Sequence, residues 1–303
     1  MKPLLILPPA PNRWSALDDL FVGVAPELRE DLEARFARGV PGASDAFAVS
    51  LNGGQILANA TVSRRGEFGV LGYVYTRREQ RGRGLALELI RTVIGWFDMI
   101  GGRRLYASTT RDAAERVFAP LGFKVLHDGD GGDGVRPENT ARPERASSVA
   151  HDPTPASTPP DATAEMIMLA RRASGAPEDP FAGLEGPVEI RPVTRADWPL
   201  MVALLQHRAG PDRRAPLAQS ARTAEIDALK WIRDQERGVC TLHAAWQADR
   251  IIALATLATD KIGARTYAMI LPSGGAPPEL RAAVAAAARD RAYEHVEYPL
   301  EAL

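Results

Sequence analysis

The sequence holds one cysteine, Cys240. A single thiol excludes an intrachain disulfide and any metal site built on several cysteines. Cys240 falls in an apolar, strand-like run, so it reads as a small buried residue. Lysine is scarce as well: only Lys2, Lys124, Lys230 and Lys261 occur, and the other basic residues are arginine. Excess charge of one sign is missing. A formal net charge of -1 offers no bulk attraction to nucleic acid or to a membrane surface. No run approaches the roughly 20 apolar residues of a membrane span. The opening MKPLLILPPAP is broken by prolines and lacks a long apolar core and a small-residue cleavage site, so no secretion signal is expected. The five histidines show no metal spacing, and no Gly-x-Ser-x-Gly nucleophile elbow occurs. The expectation is a soluble, cytoplasmic protein without a metal. Its 303 residues suggest about two domains, at roughly 150 residues each.

What is present is organised in two stretches. Residues 3–7 read as a short strand and 15–38 as a helical region interrupted near Gly23 and Pro26. Strands follow at about 46–51, 55–63 and 67–76, with a hairpin turn at Asn52-Gly53. A helix spans about 84–99, its apolar residues Ala86, Leu89, Ile90, Val93, Ile94 and Phe97 falling on one face. RRLYAST reads as a strand, RDAAERVFAPL as a short helix and GFKVLH as a strand. From Asp128 to Thr163 the composition turns to Gly, Asp, Pro, Ser, Thr and Ala, which reads as a mobile loop. The run DGDGGDG at its start has the wrong oxygen spacing for calcium, and Asn139 stands where a closing glutamate is needed. AEMIMLARR then reads as a strand returning to the first domain.

The second stretch begins near Val188 with a strand and a helix for which Thr194 and Asp197 form a capping box. A helix at about 217–236 follows. A hairpin turning at Ala248-Asp249, a further strand and a helix over 279–295 complete it. This order repeats that of the first stretch, which suggests a duplication with a shortened second copy.

The chemistry concentrates in QRGRGLALELI, residues 80–90. A strand that feeds a glycine turn and then a helix can hold phosphates. First-turn amides lack helical partners, the helix dipole favours anions, and glycine allows close backbone approach. Arg81 and Arg83 can add paired contacts to phosphate oxygens. Taken alone, the same residues also suit an ordinary arginine-rich surface turn.

The segment RGRGLA resembles the Arg/Gln-x-x-Gly-x-Gly/Ala signature of the GNAT N-acetyltransferase superfamily. AERVFAPLGF is similar to that family's later Ala-x-x-x-Tyr-x-x-x-Gly-Phe segment, and IRPVTRADWPLMVALL resembles its opening strand and helix. The resemblance implies an α/β fold of the α+β type, a mixed, mainly antiparallel sheet flanked by helices, in two copies. The first copy would span 1–172 and include the loop 128–163. Residues 173–187 would be a linker, and 188–303 a degenerate partial copy.

It also implies acetyl-CoA, or another acyl-CoA, as donor. Val74, Tyr75 and Thr76 would pair with the pantetheine arm where a splay opens the sheet. The amides of Arg81, Gly82, Arg83, Gly84, Leu85 and Ala86 would hold the pyrophosphate, and Arg111 would add a phosphate contact. The acceptor would be a small-molecule or peptide amine attacking the thioester directly, with no nucleic acid or membrane partner and a homodimer left open.

Three departures from the family pattern stand out. Phe118 occupies the place of the family's tyrosine acid, and Arg111 that of an asparagine. No carboxylate lies within Phe68 to Thr76. Glu67 is the nearest carboxylate, and Tyr75 and Tyr106 offer hydroxyls; Glu67 and Tyr106 are the catalytic candidates, though Glu67 also suits a solvated turn residue and each tyrosine a packed strand aromatic. The second copy has Pro277 and Pro278 where amide donors are needed, so no cradle is expected there. A non-catalytic acyl-CoA binder or sensor is the competing reading. A nucleotide-binding protein of another fold is the third; the hairpin-rich lead-in argues against the parallel βαβ unit that it needs.

Overall fold

The computed structural model describes residues 2–22, 24, 26–127, 166–207, 224–259, 266–271 and 275–290. The expected loop at 128–163, with its calcium-like run, lies outside them. So do parts of the expected helices beyond 290 and before 224.

Strand β1 (Leu4–Ile6) leads into helices α1 (Trp14–Asp18) and α2 (Pro26–Glu33), the second extended by a π-helical turn at Ala34–Arg38. Strands β2 (Ser44–Asn52) and β3 (Gln55–Arg65) form the expected hairpin. The central turn residues are Gly53 and Gly54, one position later than the expected pair. Both have positive φ, 55° and 86°, which a tight two-residue turn demands and glycine supplies. Strand β4 (Phe68–Thr76), helix α3 (Leu85–Met99) and strand β5 (Arg104–Thr110) follow close to their expected bounds. A short helix α4 (Arg111–Ala113), continued by a π-helical turn at Ala114–Phe118, leads to β6 (Lys124–His127). Strand β7 (Met166–Arg172) returns to the first sheet and inserts between β5 and β6.

The seven strands lie in the order β1-β2-β3-β4-β5-β7-β6. Every pairing is antiparallel except β4 with β5, which α3 joins as a βαβ crossover. The hairpin-rich lead-in argued against a parallel βαβ unit. The structure contains one, set inside an antiparallel sheet, because α3 carries the chain back along the sheet's length.

Alternation along the strands sorts side chains between the two faces of the sheet, which serve three cores. Ala46, Ala48, Leu71, Leu105 and Ala107 face α3, whereas Phe47 and Val49 face α1 and α2. Phe68, Val70 and Tyr106 face the C-terminal half. Phe97 of α3 sits against two glycines. A Cβ on Gly69 would stand 2.5 Å from its ring, and one on Gly102 would stand 2.3 Å from it.

The C-terminal half has strand β8 (Glu189–Pro192), helices α5 (Trp198–His207) and α6 (Ala224–Glu236), strands β9 (Cys240–Gln247), β10 (Arg250–Thr259) and β11 (Thr266–Leu271), and helix α7 (Pro278–Asp290). The expected capping box forms: the Thr194 amide donates to Asp197 Oδ2 at 2.9 Å. Strands β8 to β11 pair in sequence order and antiparallel, as β1 to β4 do, with two helices after the first strand in each half. Residues 198–206 are buried throughout, as a helix apolar all round must be. The reason is that α5 lies between the two sheets. Its residues share one core with Phe68, Val70 and Tyr106 on one side and Leu242, Trp246 and Leu254 on the other. Helix α7 covers the outer face of the second sheet. Among the described residues, no helix is long and apolar enough to cross a membrane.

Gly69→Ala drives a methyl group into the Phe97 ring and is expected to lower stability by about 1–3 kcal/mol in urea unfolding. Gly95→Ala, within α3 and with nothing within 4 Å of its Cβ, is expected to raise stability by about 0.4–1 kcal/mol.

Candidate active site

Strands β4 and β5 stay paired only at Phe68–Arg104, Gly69–Leu105 and Val70–Tyr106. Beyond Val70 the β5-facing edge of β4 is open. On its other edge β4 bulges against β3: Asn59 pairs with Tyr75 and Thr61 with Gly72, so two steps on β3 span three on β4. Tyr73 lies in this bulge with φ 49°, a left-handed conformation that a bulky side chain rarely adopts. Two contacts hold it. The buried amide of Asn59 donates to the Tyr73 carbonyl at 2.9 Å, and the Tyr73 hydroxyl donates to Asp31 Oδ2 at 2.7 Å. Burial, followed by the negative charge of Asp31, pushes the Tyr73 phenol well above its ordinary value of 10.0. It is a protonated donor at neutral pH.

The split between the strands opens a cavity of about 680 Å³. Its walls come from β4 (Val70 to Tyr75), from Ala86 and Ile90 of α3, from Ser108 and Thr109 of β5, and from Val117 and Phe118. Phe21, Val24 and Leu28 close one side, and Trp198, Glu225, Ile226 and Leu229 of the C-terminal half close another. The volume is that of a small-molecule site.

Beside this cleft the chain turns into α3. Gly84 is the N-cap, with φ 76°, and contributes no side-chain cap. Gly82 has the same φ, and nothing lies within 4 Å of a Cβ placed on either glycine. The first-turn amides of α3 lack helical partners, as at any helix start, and no side chain caps them. Gly82, Arg83 and Gly84 are exposed, whereas Leu85 is buried and anchors the helix start. Arg81 folds back, its Nε donating to the Thr76 carbonyl at 3.2 Å. At the strand end, Thr76 Oγ1 is buried with no hydrogen-bond partner among the described residues. Unpartnered amides, open space and a spare hydroxyl along one edge fit a phosphate-bearing, amide-rich ligand such as CoA.

Of the expected site residues, Val74, Tyr75, Thr76 and Arg81 to Ala86 thus form one continuous rim. Arg111 lies apart from the cavity lining, exposed, at the start of the turn that Thr110 caps. The structure does not bring the two catalytic candidates to the cleft. Glu67, at the paired end of β4, forms an ion pair with Arg250 of the C-terminal half and lies 4.0 Å from Arg103. Tyr106 is buried between the halves, its hydroxyl 3.0 Å from His207 Nε2, and burial raises its pKa above the ordinary tyrosine value. Phe118 lines the cavity and packs edge-on against Phe123, at 5.3 Å between ring centroids. Among the described residues, no group of three or more His, Cys, Asp or Glu is placed to hold a metal.

Asp31, Arg35, Asn59, Tyr73 and Glu225 were not foreseen from the sequence. An asparagine and a tyrosine inside otherwise apolar strands were the available signal for two of them. Asp31 and Arg35 stand four residues apart, the spacing of an ion pair on one helix face; for Glu225 no local pattern existed.

These features define an open, largely apolar cleft in a mainly antiparallel sheet. Residues 14–123 match the model of the Acetyltransferase (GNAT) family. No curated protein sequence matches the chain. Solved structures similar to it include the ribosomal-protein-S18-alanine N-acetyltransferase from Escherichia coli, at 14% identity and TM-score 0.39, covering 58% of this chain and 97% of the other. Another is a GNAT family N-acetyltransferase from Escherichia coli in complex with CoA, at 15% identity and TM-score 0.33, covering 41% and 70%. A third is the PaiA N-acetyltransferase from Thermoplasma acidophilum in complex with coenzyme A, at 9% identity and TM-score 0.35, covering 57% and 100%.

A phenol with a raised pKa keeps its proton in the fold longer than in the unfolded chain. The stability tied to Tyr73 is therefore complete below about pH 10 and lost as pH rises further. Tyr73→Phe is expected to cost about 1–3 kcal/mol near pH 8, through the lost bond to Asp31. Its stability should then fall less steeply than the wild type's between about pH 10 and 11.5, as urea unfolding will read.

Proposed function

We propose that the chain transfers an acetyl group from acetyl-CoA to an amine within the cleft between β4 and β5. The observation that carries this reading is the splay after Val70, which opens beside the uncapped glycine turn at the start of α3. The pantetheine arm lies along the open edge of Val74, Tyr75 and Thr76. The amides of Arg81 to Ala86 receive the pyrophosphate, and the exposed Arg83 adds its charge. A neutral amine attacks the thioester carbonyl carbon directly. The C–N bond forms as the C–S bond breaks, and a strand amide steadies the developing oxyanion. The attacking nitrogen gives up one proton, and the departing sulfur leaves as thiolate and takes a proton to become free CoA.

Phe118 cannot protonate that sulfur, and this favours a second reading in which the domain binds acyl-CoA without turning it over. The C-terminal half, with the same order of strand pairing as the first, reads as a shortened degenerate copy. Pro278 opens α7 there and offers no N–H, which argues against a second cradle at that helix start.

Calorimetry with acetyl-CoA tests the reading. The wild type should bind, and Arg83→Glu should weaken binding by about tenfold or more through a lost and reversed charge contact. Free-CoA release with amines then separates the two readings. Binding without release across a broad amine panel would favour the non-catalytic binder, whereas no binding by the wild type would defeat both.

A further inference from the structure

Phe118 brings no proton to the cavity, so a donor for the departing sulfur has to come from another wall. Among the described residues, the other polar side chains of the lining are Tyr73, Tyr75, Ser108, Thr109, Trp198 and Glu225. Three are already engaged: the Tyr73 hydroxyl donates to Asp31, Trp198 Nε1 donates to the Glu225 carbonyl, and Glu225 itself has a partner. Tyr75 turns to the face opposite α3, its ring packed 5.7 Å from that of Phe21.

Ser108 and Thr109 remain. Both stand on β5 beyond its last pair with β4, where the edge toward β4 is open. Both are half-buried, and neither hydroxyl has a hydrogen-bond partner among the described residues. The pleat separates them. Leu105 and Ala107 belong to the core against α3, which Phe118 shares, whereas Tyr106 belongs to the core around α5. Thr109 therefore continues the face of α3 and Phe118, and Ser108 the face of α5 and Trp198. The glycine turn opens α3, so Thr109 is the spare hydroxyl on the donor side.

We propose that Thr109 is a catalytic residue of this cleft: its hydroxyl donates a hydrogen bond to the thioester sulfur as the C–S bond breaks. This inference rests on the acetyl-transfer reading and supplies a contact which that reading lacks. The sulfur leaves with the bonding pair, as a thiolate. Thr109 keeps its own proton, and the thiolate then takes one from water to give free CoA. An alkyl thiol ionises at about pH 8.5, so its thiolate leaves readily, and a neutral hydroxyl that steadies the charge serves where no acid is present.

The test needs no knowledge of the acceptor. Calorimetry on the full-length protein compares CoA with desulfo-CoA, which lacks only the sulfur, at pH 7 and pH 9. Tyr73, Tyr75 and Glu225 are the titratable side chains of the lining among the described residues, and both ligands meet them alike. A donor aimed at the thiolate lowers the pKa of the bound thiol. A drop of about one unit makes CoA gain about sixfold over desulfo-CoA between the two pH values. The wild type should show this gain. Thr109→Val, close in shape but without the hydroxyl, should cut it below about twofold, with desulfo-CoA affinity within about twofold of the wild type's. Thr109→Ser, which keeps the hydroxyl, should retain it. No gain in the wild type would overturn this inference alone. So would a gain that survives Thr109→Val, one lost equally in Thr109→Ser, or one that Ser108→Ala abolishes instead. Failure of the wild type to bind either ligand would overturn the underlying reading with it.

Discussion

The fully buried guanidinium of Arg35 is enclosed by groups from three parts of the chain. Its Nε donates to Asp31 at 2.8 Å and its Nη1 to Asp45 on β2 at 3.3 Å. Its Nη2 donates to the carbonyl of Arg195 at 3.2 Å, across the boundary between the two halves. Burial opposes the charge, but Asp31 and then Asp45 more than offset it, and the pKa stands above the usual arginine value. A charge so deep is tolerated only when its hydrogen bonds are met, and removing one partner of such a set costs about 3–5 kcal/mol. The arrangement also fixes what surrounds it. Asp31 receives the Tyr73 hydroxyl and, at 3.3 Å, Arg195. The bulge in β4 is thus tied to the same carboxylate that ties the halves together.

From that constraint the cleft becomes a joint product. The splay between β4 and β5 belongs to the first sheet, but the far wall belongs to α5 and α6. Helix α5 brings Trp198 under Arg35 and covers the face of the first sheet that α3 leaves bare. Further links cross the boundary: Arg65 with Asp197, Arg250 with Glu67, Arg237 with Glu30, and Tyr106 with His207. Most of these pairs are partly exposed and individually weak. The shared apolar core around α5 contributes more, at about 1.5–3 kcal/mol for each large side chain fully buried.

Much of the architecture was legible because its signals are local. The capping box of Thr194 and Asp197, the apolar face of α3 and the alternation in β2 and β3 are written within a few residues of where they act. The glycine turn belongs with them, since backbone conformation at Gly82 and Gly84 depends on those residues themselves. Glu67 shows the opposite case. In sequence it is the carboxylate nearest the active strand. In space it answers Arg250, a residue 183 positions away. Tyr106 likewise read as a hydroxyl in a strand of the right sheet, but the pleat turns it toward His207 and away from the cleft.

The amino-acid order by itself determined the element sequence, the hairpins and the turn that frees the amides of α3. Short-range sterics and hydrogen bonding suffice for these. Which carboxylate lines the cavity, which tyrosine holds the bulge and which helices close the cavity's far side were decided only by tertiary packing. Asp31 and Arg35 stand four apart on one helix, but residues 45, 73 and 195 share no spacing with them that any single element could express. Their meeting follows from burying α5 between two sheets, and a fold-wide apolar constraint of that kind leaves no local mark in the sequence.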